Sequence, residues 1–145
     1  MEKYLLFNTI GNLVDRTVIF ASLVFGGVID RFPGLKICLA HGGGYSCIGI
    51  GHMDCGRQVR PEARTYIETP PSEYLRRFYS DTVTHDDSAL KMLVDTTGAE
   101  RILFCTDWPA DMRIENPVQW LNGLDFLTSD EKRMILGCNA GMVFR

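Results

Sequence analysis

Three short apolar runs, residues 35–40, 78–83 and 101–106, are each followed within two residues by an ionisable side chain: His41, His85 and Asp107. Short apolar runs bounded by turn signals read as strands buried on both faces. The first run is bracketed by Pro33-Gly34 and by Gly42-Gly43-Gly44. Helical patterns lie between the runs, and strands joined by helical crossovers pair in parallel. The expected fold class is therefore α/β with parallel strands.

The connecting segments carry helix signals. Val14, Val18, Ala21, Phe25, Val28 and Phe32 recur at three, four or seven residues behind Asn12, a candidate cap. This pattern predicts a well-buried helix that stops at Pro33-Gly34. Residues 46–58 are expected to be helical although Gly49, Gly51 and Gly56 each cost roughly 1 kcal/mol relative to Ala. Pro70-Pro71-Ser72 opens a short helix through Arg76, and an amphipathic helix over residues 86–97 ends at Gly98. Two more helices are expected over residues 118–125 and 129–136, the second capped by Thr128 or Ser129.

No internal repeat or linker divides the chain, so residues 1–145 read as one unit. With 46% hydrophobic and 23% charged residues, the composition suits a packed core rather than disorder. The formal net charge is −3 and no Lys/Arg cluster is interleaved with aromatics, which argues against a nucleic-acid partner. No apolar run is long enough to span about 30 Å of hydrocarbon, so no membrane segment is expected. The N-terminus lacks a secretory pattern, and five cysteines without paired spacing fit free thiols. A cytoplasmic protein without disulfides is the expectation.

In parallel α/β folds, reactive groups sit at the carboxyl ends of the strands. His41, His85 and Asp107 all fall there, which brings a candidate acid, base or metal ligand from each strand to one rim. Each has a plainer reading. The glycines after His41 make a flexible turn, or they let backbone and substrate approach the imidazole. Asp86 and Asp87 make helix capping a sufficient account of the His85 region. Asp107, before Trp108-Pro109, could cap a turn, or serve as a hard oxygen donor to a divalent ion. Cys38, His41, Cys47, His52 and Cys55 crowd one window, but no Cys-x-x-Cys spacing supports a zinc knuckle.

Residues 31–44 (RFPGLKICLAHGGG), 78–86 (FYSDTVTHD) and 102–109 (ILFCTDWP), with Asn139-Ala140 in the last helix, resemble the amidohydrolase-related family. Within it the similarity is to the 2-amino-3-carboxymuconate-6-semialdehyde decarboxylase-like branch. The resemblance implies the C-terminal strands and helices of a partial (β/α)8 TIM-type barrel, and a divalent metal, Zn²⁺ or Mn²⁺. It implies Asp107 as a metal ligand and His41 as the general acid and base. The family's His-x-His metal pair has no counterpart among the three histidines of this sequence. The metal is thus not fully liganded by this chain, and weak or no stoichiometric binding is expected. His52 stands near where the decarboxylase branch carries a carboxylate-holding arginine, and His85 and Trp108 are further candidates for substrate contact. The expected activity is metal-dependent decarboxylation or hydrolysis of a small carboxylated or cyclic substrate. The alternative is an inactive barrel piece acting as an oligomerisation or binding module. An incomplete barrel exposes a sheet edge, which favours a homo-oligomer or a partner chain that completes it.

Overall fold

The computed structural model describes residues 3–144. A three-stranded parallel sheet runs in the order β1 (Cys38–Leu39), β2 (Tyr79–Asp81), β3 (Ile102–Leu103). Cys38 and Leu39 pair with Tyr79 and Ser80, and Ser80 and Asp81 pair with Ile102 and Leu103. The helices are α1 (Asn12–Phe25), α2 (Val28–Arg31), α3 (Ser46–Val59), α4 (Pro71–Tyr74), α5 (Asp87–Thr97), α6 (Pro117–Asn122), α7 (Ser129–Arg133) and α8 (Asn139–Val143). Helix α3 and α4 carry the chain from β1 to β2, and α5 carries it from β2 to β3.

All three expected strands form, but each pairs over fewer residues than its apolar run. Regular pairing stops where the chain must bend into the loops that carry His41, His85 and Asp107. The first run is also not buried on both faces: Leu39 is buried, whereas Cys38 and residues 35 and 36 are exposed. Strand β1 is an edge, paired on one side only, and two-sided burial needs neighbours that these residues do not provide.

Helix α1 departs from expectation in two ways. Asn12 is its first helical residue rather than its cap, because a wider helical turn over Phe7–Gly11 leads directly into it. The helix then breaks at Gly26 and Gly27 instead of running to Pro33. Its buried face is also the other stripe. Phe20 and Val24 are fully buried, while Val14 and Val18 are 43% and 55% exposed. Apolar residues occur all round this helix, so two stripes of helical period compete, and the sheet side takes Phe20 and Val24. Phe20 meets Phe78 with ring centroids 5.0 Å apart, and Leu39, Ile67, Tyr74 and Leu75 complete this first core.

The second core gathers Leu90, Leu93 and Val94 of α5, Ile102 of β3, and Leu121, Leu124, Leu127 and Ile135. Helix α3 forms in spite of its glycines because Cys47, Ile50 and Met53 rest on the first core, which offsets poor intrinsic propensity. Asp86 caps α5 by accepting from the Ala89 N–H at 2.8 Å, and Gly98 ends that helix. Thr128 and Glu131 form a reciprocal capping box on α7. Helix α6 starts and stops earlier than the pattern suggests, ending before Gly123.

Candidate active site

The three strand-end residues share a backbone conformation that side chains rarely adopt. His41, His85 and Asp107 have φ of 55°, 57° and 61°. Left-handed geometry in a residue other than glycine is uncommon, and it clusters where a structure over-determines a functional loop. Here it recurs at three successive strand ends.

At β1, the chain continues left-handed from His41 through Gly42, Gly43 and Gly44. Glycine is required at two of these positions by space as well as by φ. A Cβ on Gly44 would lie 2.1 Å from the Leu13 carbonyl oxygen, and one on Gly42 would lie 2.8 Å from Thr84 Cγ2. The loop is thus pressed between α1 and the end of β2. The Tyr45 N–H donates to Thr17 Oγ1 at 2.8 Å and fastens it to α1.

Asp81, the last residue of β2, was not singled out by sequence because it lies inside an apolar strand pattern. It is only 6% exposed, and its Oδ1 accepts from the Gly42 N–H at 2.9 Å and the Val83 N–H at 3.0 Å. Burial pushes its carboxyl above the ordinary 3.8, while the N–H groups of Gly42, Val83 and His41 and the charge on His41 pull it down. Beside it, fully buried Thr82 donates from Oγ1 to the Cys105 carbonyl at 2.8 Å and accepts from the Cys105 N–H at 3.0 Å. This pair of bonds extends the join between β2 and β3 towards Asp107.

His41, His85 and Asp107 line one cavity of about 250 Å³. Asn8 and Asn12 line its α1 side, one helical turn apart. Their spacing is a signal that a cap reading of Asn12 obscures. His41 also borders a second, mostly apolar cavity of about 270 Å³ with Leu13, Tyr45, Ile48, Met92 and Leu93. A surface depression of about 810 Å³ beside α7 and α8 touches none of the three strand-end residues.

Two expected site residues are not brought to the shared cavity. Helix α3 turns Cys47, Ile50 and Met53 inward, which leaves His52 on its exposed face with Ile48, Cys55 and Val59. Trp108 is 73% exposed and stands over the Arg113 guanidinium, 5.3 Å from ring centroid to Cζ. Among the described residues, no three His, Cys, Asp or Glu side chains are grouped to hold a metal ion. Asp107 offers a suitable hard donor, but the residues present do not make a complete metal site.

The amidohydrolase family pattern matches residues 11–145. This chain belongs to the amidohydrolase family. It is 33% identical over 141 residues to 2-amino-3-carboxymuconate-6-semialdehyde decarboxylase of Dictyostelium discoideum, covering 97% of this chain and 39% of that protein. It is similar in structure to dihydroxybenzoic acid decarboxylase of Polaromonas, solved with manganese and the inhibitor 2-nitroresorcinol. The TM-score is 0.76 at 26% identity, over 88% of this chain and 39% of that one. For 5-carboxyvanillate decarboxylase of Sphingomonas paucimobilis the TM-score is 0.75 at 28% identity, over 86% and 38%. The amidohydrolase-family chain spans about two fifths of the length of these relatives. Its α/β fold is that of part of a TIM barrel.

Proposed function

We propose that this chain forms one rim of a metal-dependent decarboxylase site for a small aromatic or cyclic carboxylic acid. The observation that carries the reading is the convergence of His41, His85 and Asp107, all left-handed, on one cavity. Loss of CO₂ from a ring breaks one C–C bond and needs a proton at the carbon left behind. His41, which lines both this cavity and the more apolar one beside Leu13 and Met92, is suited to hold that proton beside a ring. His85 lines the same cavity as His41 and Asp107 and would contact substrate there. Asp107 would be the family-type ligand for a divalent ion, Mn²⁺ or Zn²⁺, which when bound would polarise the substrate. Its other donors would have to come from outside the described residues. A homo-oligomer or partner chain that pairs with the free edge of β1 and completes the barrel would supply them. Hydrolysis is the coarser alternative for the same groups. Five cysteines, none bonded to another, accord with a cytoplasmic setting.

The test is CO₂ release from 2,6-dihydroxybenzoate with Mn²⁺ or Zn²⁺, by the chain alone and mixed with a complementary half-barrel. His41→Ala is expected to abolish turnover and leave metal binding intact, whereas Asp107→Ala loses both. Wild-type turnover in the His41 variant would remove that residue from the mechanism. The competing reading is a binding or oligomerisation module without activity. Absence of metal-dependent CO₂ release in every combination would overturn the decarboxylase reading.

A further inference from the structure

The loop after Asp107 holds a cation that the family reading does not assign. His85 faces a second cavity on its other side, of about 250 Å³, shared with Asp87, Arg113, Ile114, Glu115 and Trp120. Among the described residues, Arg113 is the only lysine or arginine lining this cavity or either of the two that border His41.

Arg113 is held in place. Its N–H donates to the Ala110 carbonyl at 3.1 Å, and the next N–H, of Ile114, donates to the Thr106 carbonyl at 2.9 Å, adjacent to Asp107. Its guanidinium lies over the Trp108 ring, and its side chain is 34% exposed. A planar guanidinium held against an aromatic ring presents its fork in a restricted direction and fits carboxylates. A carboxylate is already there: Glu115 Oε1 lies 2.8 Å from Arg113 Nη2. Glu115 is 72% exposed, and an exposed ion pair of this kind contributes little. The other acid in the cavity, Asp87, accepts from the Trp120 indole N–H at 2.8 Å. Trp120 thereby presents an anchored aromatic surface beside the guanidinium.

We propose that Arg113 anchors a carboxylate in the cavity it shares with His85, next to the His41–Asp107 cavity, with Glu115 as the internal carboxylate that an incoming aromatic acid displaces. The inference rests on the decarboxylase reading for its ligand class, a single-ring aromatic carboxylate, and it makes Arg113 a specificity-determining residue.

The test is NMR titration of the intact chain with 2,6-dihydroxybenzoate and with resorcinol, which has the same ring without the carboxylate. Wild type is expected to prefer the acid. Arg113→Met should weaken binding of the acid by about tenfold or more, the scale of a lost hydrogen bond to a charged group, and leave resorcinol unchanged. Arg113→Lys should fall between them. Glu115→Gln should act in the opposite direction, tightening the acid about two- to fivefold by removing its competitor. A merely structural role for the Arg113–Glu115 pair would move both variants the same way and affect both ligands. Equal loss of acid and resorcinol in Arg113→Met, an unchanged acid affinity there, weaker acid binding in Glu115→Gln, or no wild-type preference for the acid would each overturn the proposal. The decarboxylase reading is judged separately, by CO₂ release and its dependence on His41 and Asp107, so either can fail alone.

Discussion

Asp81 ties the candidate site to the strand that precedes it. Its carboxylate holds the Gly42 and Val83 N–H groups and so sets the turn that begins at His41. Because burial raises its carboxyl in the folded chain, the native state keeps a proton that the unfolded chain releases as pH passes 3.8. Its contribution to stability is therefore fully present below that value and is lost as pH rises through the folded-state midpoint. Asp81→Asn keeps an acceptor oxygen and removes the titration. The stability difference, variant minus wild type, should grow more favourable to the variant from pH 3.5 towards neutrality, as read by urea unfolding at each pH. A difference that stays flat, or shrinks as pH rises, would show that the folded carboxyl is not raised. Asp81 was hidden in the sequence because a single carboxylate within FYSDTV looks like an interruption of a strand. Arg113 was hidden because irregular loops carry no period from which direction can be read.

At the scale of elements, the strand ends were legible and the helix faces were not. An apolar run that gives way to His or Asp marks the point where a buried strand meets a loop, whatever the details of pairing. A helix needs its partner before its inner face is known, and α1, apolar all round, turned Phe20 and Val24 inward rather than Val14 and Val18. The family resemblance, which gives no phase, put His52 of α3 among the site candidates, and the helix presents it outward. Asn139 shows how an element is fastened by one side chain. Fully buried, it starts α8 and donates from Nδ2 to the carbonyls of Ala99 at 2.8 Å and Ile102 at 2.7 Å, at the head of β3. Asn139→Leu removes both donors from buried carbonyls and is expected to cost about 2–3 kcal/mol in denaturant unfolding. A loss within experimental error would mean that α8 is held by its apolar contacts alone.

For the whole molecule, the telling feature is apolar surface left uncovered. Ile10, Val14 and Val18 recur every four residues, all exposed, and β1 has a free edge next to exposed Cys38. No helix of the described residues is long and apolar enough to cross a membrane. Contiguous exposed apolar surface of this kind promotes association in water. Elution of the purified chain in size exclusion should therefore depend on concentration, and Val14→Glu with Val18→Glu should shift it towards the monomer. Elution of the wild type as a concentration-independent monomer would place the association surface elsewhere or nowhere. The chain corresponds to about two fifths of the length of its decarboxylase relatives.

Taken by itself, the order of residues determined the α/β class, the three strand ends, the capping of α5 and α7, and membership of the amidohydrolase family. These depend on local chemistry: where apolar runs stop, where glycine and proline interrupt, and which short motifs recur in order. Only the tertiary structure decided which stripe of α1 is buried, that Asp81 holds the turn at His41, that His52 faces away, and that Arg113 shares a cavity with His85. Those outcomes depend on the phase of one element against another. That phase is set by the summed packing of the two cores and the sheet, a property no short stretch of sequence contains.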